Sequence, residues 1–174
     1  MNNIHAFDLA LLLFRFAIGG VFLAHGINHI IGGGKIAGTG RWFESLGMKP
    51  GWLHAWMASI TEIGAGLLLI LGFLTPFGGA GVIGVMLVAW ITNHLKNGFF
   101  IFRPGEGWEY VMVLTVSGFV LAMLGPGEWS LDHAIGFNSL LGWWGLLIAV
   151  IGGVGGAAGL LVGFWRPAKP DADS

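Results

Sequence analysis

Five apolar stretches run through this chain, and a lipid bilayer leaves each of them one backbone solution. Hydrocarbon offers no hydrogen-bond partner to an exposed N–H or C=O, so a single crossing segment must bond internally, as a helix. The stretches lie at about residues 7–31, 52–74, 77–95, 108–124 and 139–166. A span needs roughly 20 helical residues, and the fourth stretch is somewhat short of that. The chain is 55% hydrophobic and only 10% charged, against about a quarter charged in a soluble domain. Too few polar groups exist to cover a globule in water. The fold expected is therefore all-α, a polytopic membrane helical bundle. Residues 1–138 form a four-helix core, 139–166 a fifth transmembrane helix, and 167–174 a disordered cytoplasmic tail.

The charges orient the bundle. Of eight Lys and Arg residues, all but Arg15 fall on one side of the implied membrane: Lys35, Arg41, Lys49, Lys96, Arg103, Arg166 and Lys169. Short loops rich in Lys and Arg stay in the cytoplasm. The N-terminus is then outside and the C-terminus inside, and the first stretch, which lacks a basic leader and is too long for a signal peptide, is read as a true span. The formal net charge of −1 leaves no basic surface for nucleic acid. Cysteine is absent, which removes disulfides, thiol catalysis and cysteine-held metal clusters.

Between the first two stretches, residues 40–47 form a short amphipathic piece, expected to lie flat at the interface with Trp42, Phe43 and Leu46 down. Residues 98–102, Gly-Phe-Phe-Ile-Phe, are too few to span and dip towards the headgroups or cover the bundle. Most of the nine Trp residues sit near span ends, the usual interfacial belts. The fifth stretch carries small-xxx-small pairs, Gly152/Gly156, Gly155/Gly159 and Gly159/Gly163, which allow close helix approach within the chain, in a homo-oligomer or against another subunit. Gly153-x-Gly155-x-x-Ala158 imitates a dinucleotide fingerprint, but no strand precedes it.

Ionisable groups at membrane depth are costly and mark paired or functional positions. Asp8, Arg15, Phe22 and His29 share a narrow stripe at 100° per residue, so that stripe faces the bundle interior. Asp8 or Glu62 is the expected partner of Arg15. The antiparallel zigzag brings His25, His29, Asn93, His94, Glu109 and Tyr110 to one depth, with Glu62 just above and Trp108 beside them. His5, His54 and His133 read as interfacial.

Several chemistries fit such a set. A quinone pocket uses histidine and carboxylate to bond carbonyls and move protons, with aromatic packing around the ring. A metal site would draw on His25, His29, His94 and Glu109, with His25 and His29 on one helical face. Haem ligation by two histidines is the weaker third. The bland alternative is a buried polar network that sets helix register. The quinone reading is preferred, with His94 and Glu109 handling protons or bonding carbonyls, Glu62 relaying a proton, and His25, His29, Asn93, Trp108 and Tyr110 binding the cofactor.

Several pieces together resemble the DoxX family. They are Leu13-Phe14-Arg15-Phe16-Ala17-Ile18-Gly19-Gly20 running on to Ala24-His25-Gly26, Arg41-Trp42-Phe43-Glu44-Ser45-Leu46-Gly47, and Glu62-Ile63-Gly64-Ala65-Gly66-Leu67. To these are added Thr92-Asn93-His94, Asn97-Gly98-Phe99-Phe100, Gly107-Trp108-Glu109-Tyr110 and the turn Leu124-Gly125-Pro126-Gly127-Glu128-Trp129. The resemblance covers roughly residues 9–133. It implies a small bacterial or archaeal inner-membrane protein with four core helices. Relatives of that kind include DoxD, the membrane subunit of a thiosulfate:quinone oxidoreductase, and proteins linked to oxidative-stress complexes with a superoxide dismutase and a sulfurtransferase. What the resemblance implies here is a redox-associated subunit taking electrons from a sulfur or thiol donor to quinone, alone or with membrane or cytoplasmic redox partners. The competing reading is a non-catalytic scaffold for such a complex, held by the fifth span.

Overall fold

In the computed structural model, residues 3–137 and 140–167 are described, and every long element among them is a helix. The helices are α1 (Ile4–Ile31), α2 (Lys35–Ser45), α3 (Gly51–Leu71), α4 (Thr75–Asn97), α5 (Glu109–Leu124), α6 (Leu131–Ala134) and α7 (Trp143–Phe164). Four of them, α1, α3, α4 and α7, are long and apolar enough to cross a membrane. The helix expected as the fourth span, α5, is apolar but shorter, with 16 residues, about 24 Å at 1.5 Å per residue. The chain is thus a multi-pass helical membrane bundle, as the apolar stretches require.

The helices turn where the sequence permits nothing else. Gly72 closes α3 in the left-handed region at φ 61°, and the Phe73 N–H donates to the Leu68 carbonyl, which together make a Schellman-type stop. Pro76 then sits in the first turn of α4, where its missing N–H costs nothing. The tight α3–α4 hairpin expected at Thr75–Pro76 follows from these two residues.

α3 and α4 are the central pair. α1 packs on one flank of α3, while α5 and α7 pack on α4. Glycines bring the helices into contact. A Cβ on Gly19 would lie 2.8 Å from the Gly66 carbonyl oxygen, and one on Gly79 would lie 2.6 Å from that of Gly118. Ile18, Phe22, Ala65, Leu69, Val82, Leu114 and Leu121 form the core between them. In α7 the turn widens to a π-helix over Ala149–Gly155. Gly153 presses there on Ile83 and the Ala80 carbonyl. Beyond it Gly156 borders a space within the bundle, Gly159 and Gly163 meet nothing, and Gly155 touches only its own helix. The small-residue stripe of the fifth span therefore divides, its first part used inside the bundle and the rest facing outwards.

The segment after α1 departs from expectation. The amphipathic piece is longer, beginning at Lys35 behind a left-handed Gly34, and it folds onto α3 instead of only lying flat. Phe43 is buried, but Trp42 stays 43% exposed. The anchors are polar: the Thr39 hydroxyl donates to the His29 carbonyl, and Glu44 Oε1 accepts from the Gly51 N–H at the start of α3. Glycines and polar residues at positions 38–41 mask this helix in the sequence. α7 closes the same end, with Trp165 Nε1 donating to the Leu46 carbonyl and Arg166 N to that of Gly47. The tail from residue 168 on, including Lys169, lies outside the described residues.

Candidate functional site

The Lys/Arg-bearing ends of the helices surround a cavity of about 480 Å³. α1 contributes His25 and His29, α3 His54 and Glu62, α4 Thr92, Asn93 and His94, and α5 Tyr110. Phe43 and Trp42 of α2 and Ala157 and Leu160 of α7 complete the walls. Most of the remaining lining is aliphatic, from Val21 through Leu114. The size falls within the usual range for small-ligand sites, which are likewise apolar with a few convergent polar groups.

The inner pole of the cavity is a carboxylate–histidine pair. Glu62 is 5% exposed, and its Oε2 lies 3.2 Å from His29 Nε2, near enough to share a proton though off the line of a good hydrogen bond. Antiparallel packing sets this partnership. Gly26 of α1 meets Ser59, Glu62 and Ile63 of α3, so His29, one turn on, arrives beside Glu62.

Arg15 is elsewhere, which corrects both partners expected for it. Fully buried, it donates from Nη1 to the Leu69 and Ile70 carbonyls and from Nη2 to that of Trp129, 2.7 Å away. The last carbonyls of a helix lack intrahelical partners and carry the negative end of its dipole, so Arg15 caps α3. Asp8 accepts the Glu128 N–H instead, and Asp132 accepts that of Leu74.

At the outer rim, His94 is already engaged. Its Nδ1 lies 2.9 Å from the Glu106 carbonyl oxygen and its Nε2 3.3 Å from the Asn93 side-chain nitrogen. A π-turn over Trp90–His94 brings these side chains round to the cavity, a distortion frequent at functional sites. Two residues expected in the site do not line it. Glu109 Oε2 accepts the Ile101 N–H, and Trp108 stacks on Trp90 at 5.4 Å with Phe99 against its other edge. Both hold the 98–107 loop over the end of α4. Among the described residues no three His, Asp or Glu side chains converge as a metal-ligand set, so His25, His29, His94 and Glu109 do not form the expected alternative site.

His54 is the residue that sequence reading placed at the interface. It is 2% exposed, lines the cavity, and packs between Phe43 and Phe164. Neither ring nitrogen has a hydrogen-bond partner; the Lys49 backbone approaches outside bonding geometry. A buried unsatisfied polar group costs about 1–3 kcal/mol. The signal was present in the spacing: His54, Ala58 and Glu62 step along one side of α3 at i, i+4 and i+8.

The fold and this chamber define a polytopic helical membrane protein with a ligand-sized, mostly apolar cavity inside its bundle. Residues 10–95, just under half of the chain, match the DoxX family model. The match ends within α4 and so takes in His25, His29, His54, Glu62, Asn93 and His94. The chain is also similar to the uncharacterized membrane protein Rv3486 of Mycobacterium tuberculosis, with 27% identity over 136 residues, which cover 72% of this chain and 81% of that one. No solved structure matches it at a significant level.

Proposed function

We propose that this chain is a quinone-interacting subunit of a membrane redox system, with the quinone ring held in the cavity. The observation that carries this reading is the buried Glu62–His29 pair beside a mostly apolar chamber of about 480 Å³. Reducing a quinone to its quinol takes two electrons and two protons. A carboxylate and an imidazole in contact can pass protons on without a large charge entering the low-dielectric interior. The chain has no cysteine, so a sulfur or thiol donor would deliver its electrons from a partner. The skew of Lys and Arg supports a cavity on the cytoplasmic side of a plasma membrane, with the N-terminus outside.

The test is equilibrium binding of decylubiquinone to the full chain in detergent micelles. Glu62→Gln keeps the shape of the side chain and removes its proton chemistry. Binding by the wild type, with reduction of bound quinone by a chemical thiol donor slowed about tenfold or more in Glu62→Gln, supports the reading. Absence of decylubiquinone binding by the wild type overturns it.

A further inference from the structure

We infer that His54 is the second hydrogen-bonding pole of the cavity, facing a ligand ring from the end opposite Glu62. This rests on the quinone reading and assigns that site a residue which neither the sequence pattern nor the His29–Glu62 pair requires.

The argument begins with what is left unbonded. Of the four histidines lining the cavity, His29 meets Glu62 and His94 has both nitrogens engaged. His25 lies on an exposed part of α1. His54 alone is buried with neither nitrogen bonded. Phe43 and Phe164 pack against its ring, and the residue borders the cavity. Such a group is stable only if something meets it.

Spacing then selects the partner. His54 and Glu62 are eight residues apart on α3, about 12 Å along the helix axis. A six-membered ring with carbonyls at opposite edges has its oxygens about 5 Å apart, and a hydrogen bond of about 2.8 Å at each end brings the reach to about 11 Å. Between the two poles the α3 wall is Met57, Ala58 and Thr61, apolar but for the Thr61 hydroxyl. A para-quinone ring fits that frame; a ligand with one polar end does not use both poles.

The choice of histidine also fits both redox states. A neutral imidazole presents one N–H and one bare nitrogen. It donates to a quinone carbonyl and, through the other tautomer, accepts from a quinol hydroxyl. Lysine or arginine could only donate.

The experiment measures the Kd of decylubiquinone for the full chain as wild type, His54→Phe and His54→Gln. His54→Phe should weaken binding about tenfold, the loss of one hydrogen bond to a buried acceptor. His54→Gln, which can still donate or accept, should recover most of that loss. On the wild type alone, decylubiquinone carrying 13C at one carbonyl or the other should show both infrared carbonyl stretches shifted down on binding. This second measurement does not depend on a variant folding. Unchanged affinity in His54→Phe, or a single shifted carbonyl in the wild type, overturns the role of His54 and leaves the quinone reading standing. No binding by the wild type overturns both.

Discussion

The two ends of this bundle hold similar buried polar residues and use them in opposite ways. At one end Arg15, Asp8 and Asp132 are spent on backbone groups: Arg15 on the α3 terminus and the Trp129 carbonyl, the two aspartates on the N–H groups of Glu128 and Leu74. At the other, His54 has no hydrogen bond and Glu62 meets only His29. The first end is a lock, since each side chain ties one segment to another far away in the chain. The second is a chamber, since its side chains line a cavity. Asp8 Oδ2 and Arg15 Nε also lack partners, so neither burial nor a missing bond marks a site by itself; a buried polar group left unbonded beside a cavity does.

Removing the lock should have the largest effect. Arg15→Met strands the last α3 carbonyls and frees the 125–132 turn, so stability should fall by about 2–3 kcal/mol, read from reversible unfolding in detergent mixed with sodium dodecyl sulfate. Arg15→Lys should recover little of this, because one ammonium cannot fork to carbonyls on two segments. A wild-type-like transition in Arg15→Met would remove the contrast between the ends.

The glycine contacts come next. Gly79→Val sets a side chain against the Gly118 carbonyl and should destabilise by about 1–3 kcal/mol through overpacking. The same unfolding titration should show the chamber end responding with the other sign. His54→Phe replaces two unbonded nitrogens by carbon between Phe43 and Phe164, and should leave the ligand-free protein unchanged or more stable by up to about 1 kcal/mol. A clear loss of stability there would mean that His54 belongs to the lock's kind of chemistry. The smallest effect belongs to Gly159→Ala, which meets nothing and should stay within about 0.5 kcal/mol. A larger loss would reveal a packing partner for the outer face of α7.

Much of this was legible in the chain. Apolar length and charge placement are local properties, and they carried the helices, their order and the α3–α4 turn. The stripe of Asp8, Arg15, Phe22 and His29 faces inwards because periodicity assigns each residue a side of its own helix. The common depth of His25, His29, Asn93, His94 and Tyr110 followed from antiparallel order alone. Periodicity says nothing of how one helix is rotated against the next. That rotation decided that Glu62 meets His29 and that Arg15 meets carbonyls.

What only the tertiary structure decided is therefore partnership and vacancy. Glu109 shares the depth of the cavity residues, yet the 98–107 loop folds back and claims its carboxylate through the Ile101 N–H. His54 sits three residues into α3, where sequence suggests an interface, yet α2 and the end of α7 cover it with Phe43 and Phe164. Both outcomes depend on loops and chain ends returning from far along the sequence. The sequence by itself determined a membrane bundle with polar groups at one level. Packing determined which of those groups are consumed by structure and which are left facing a ligand-sized space, because hydrogen bonds are made between neighbours in space and hydropathy is written along the chain.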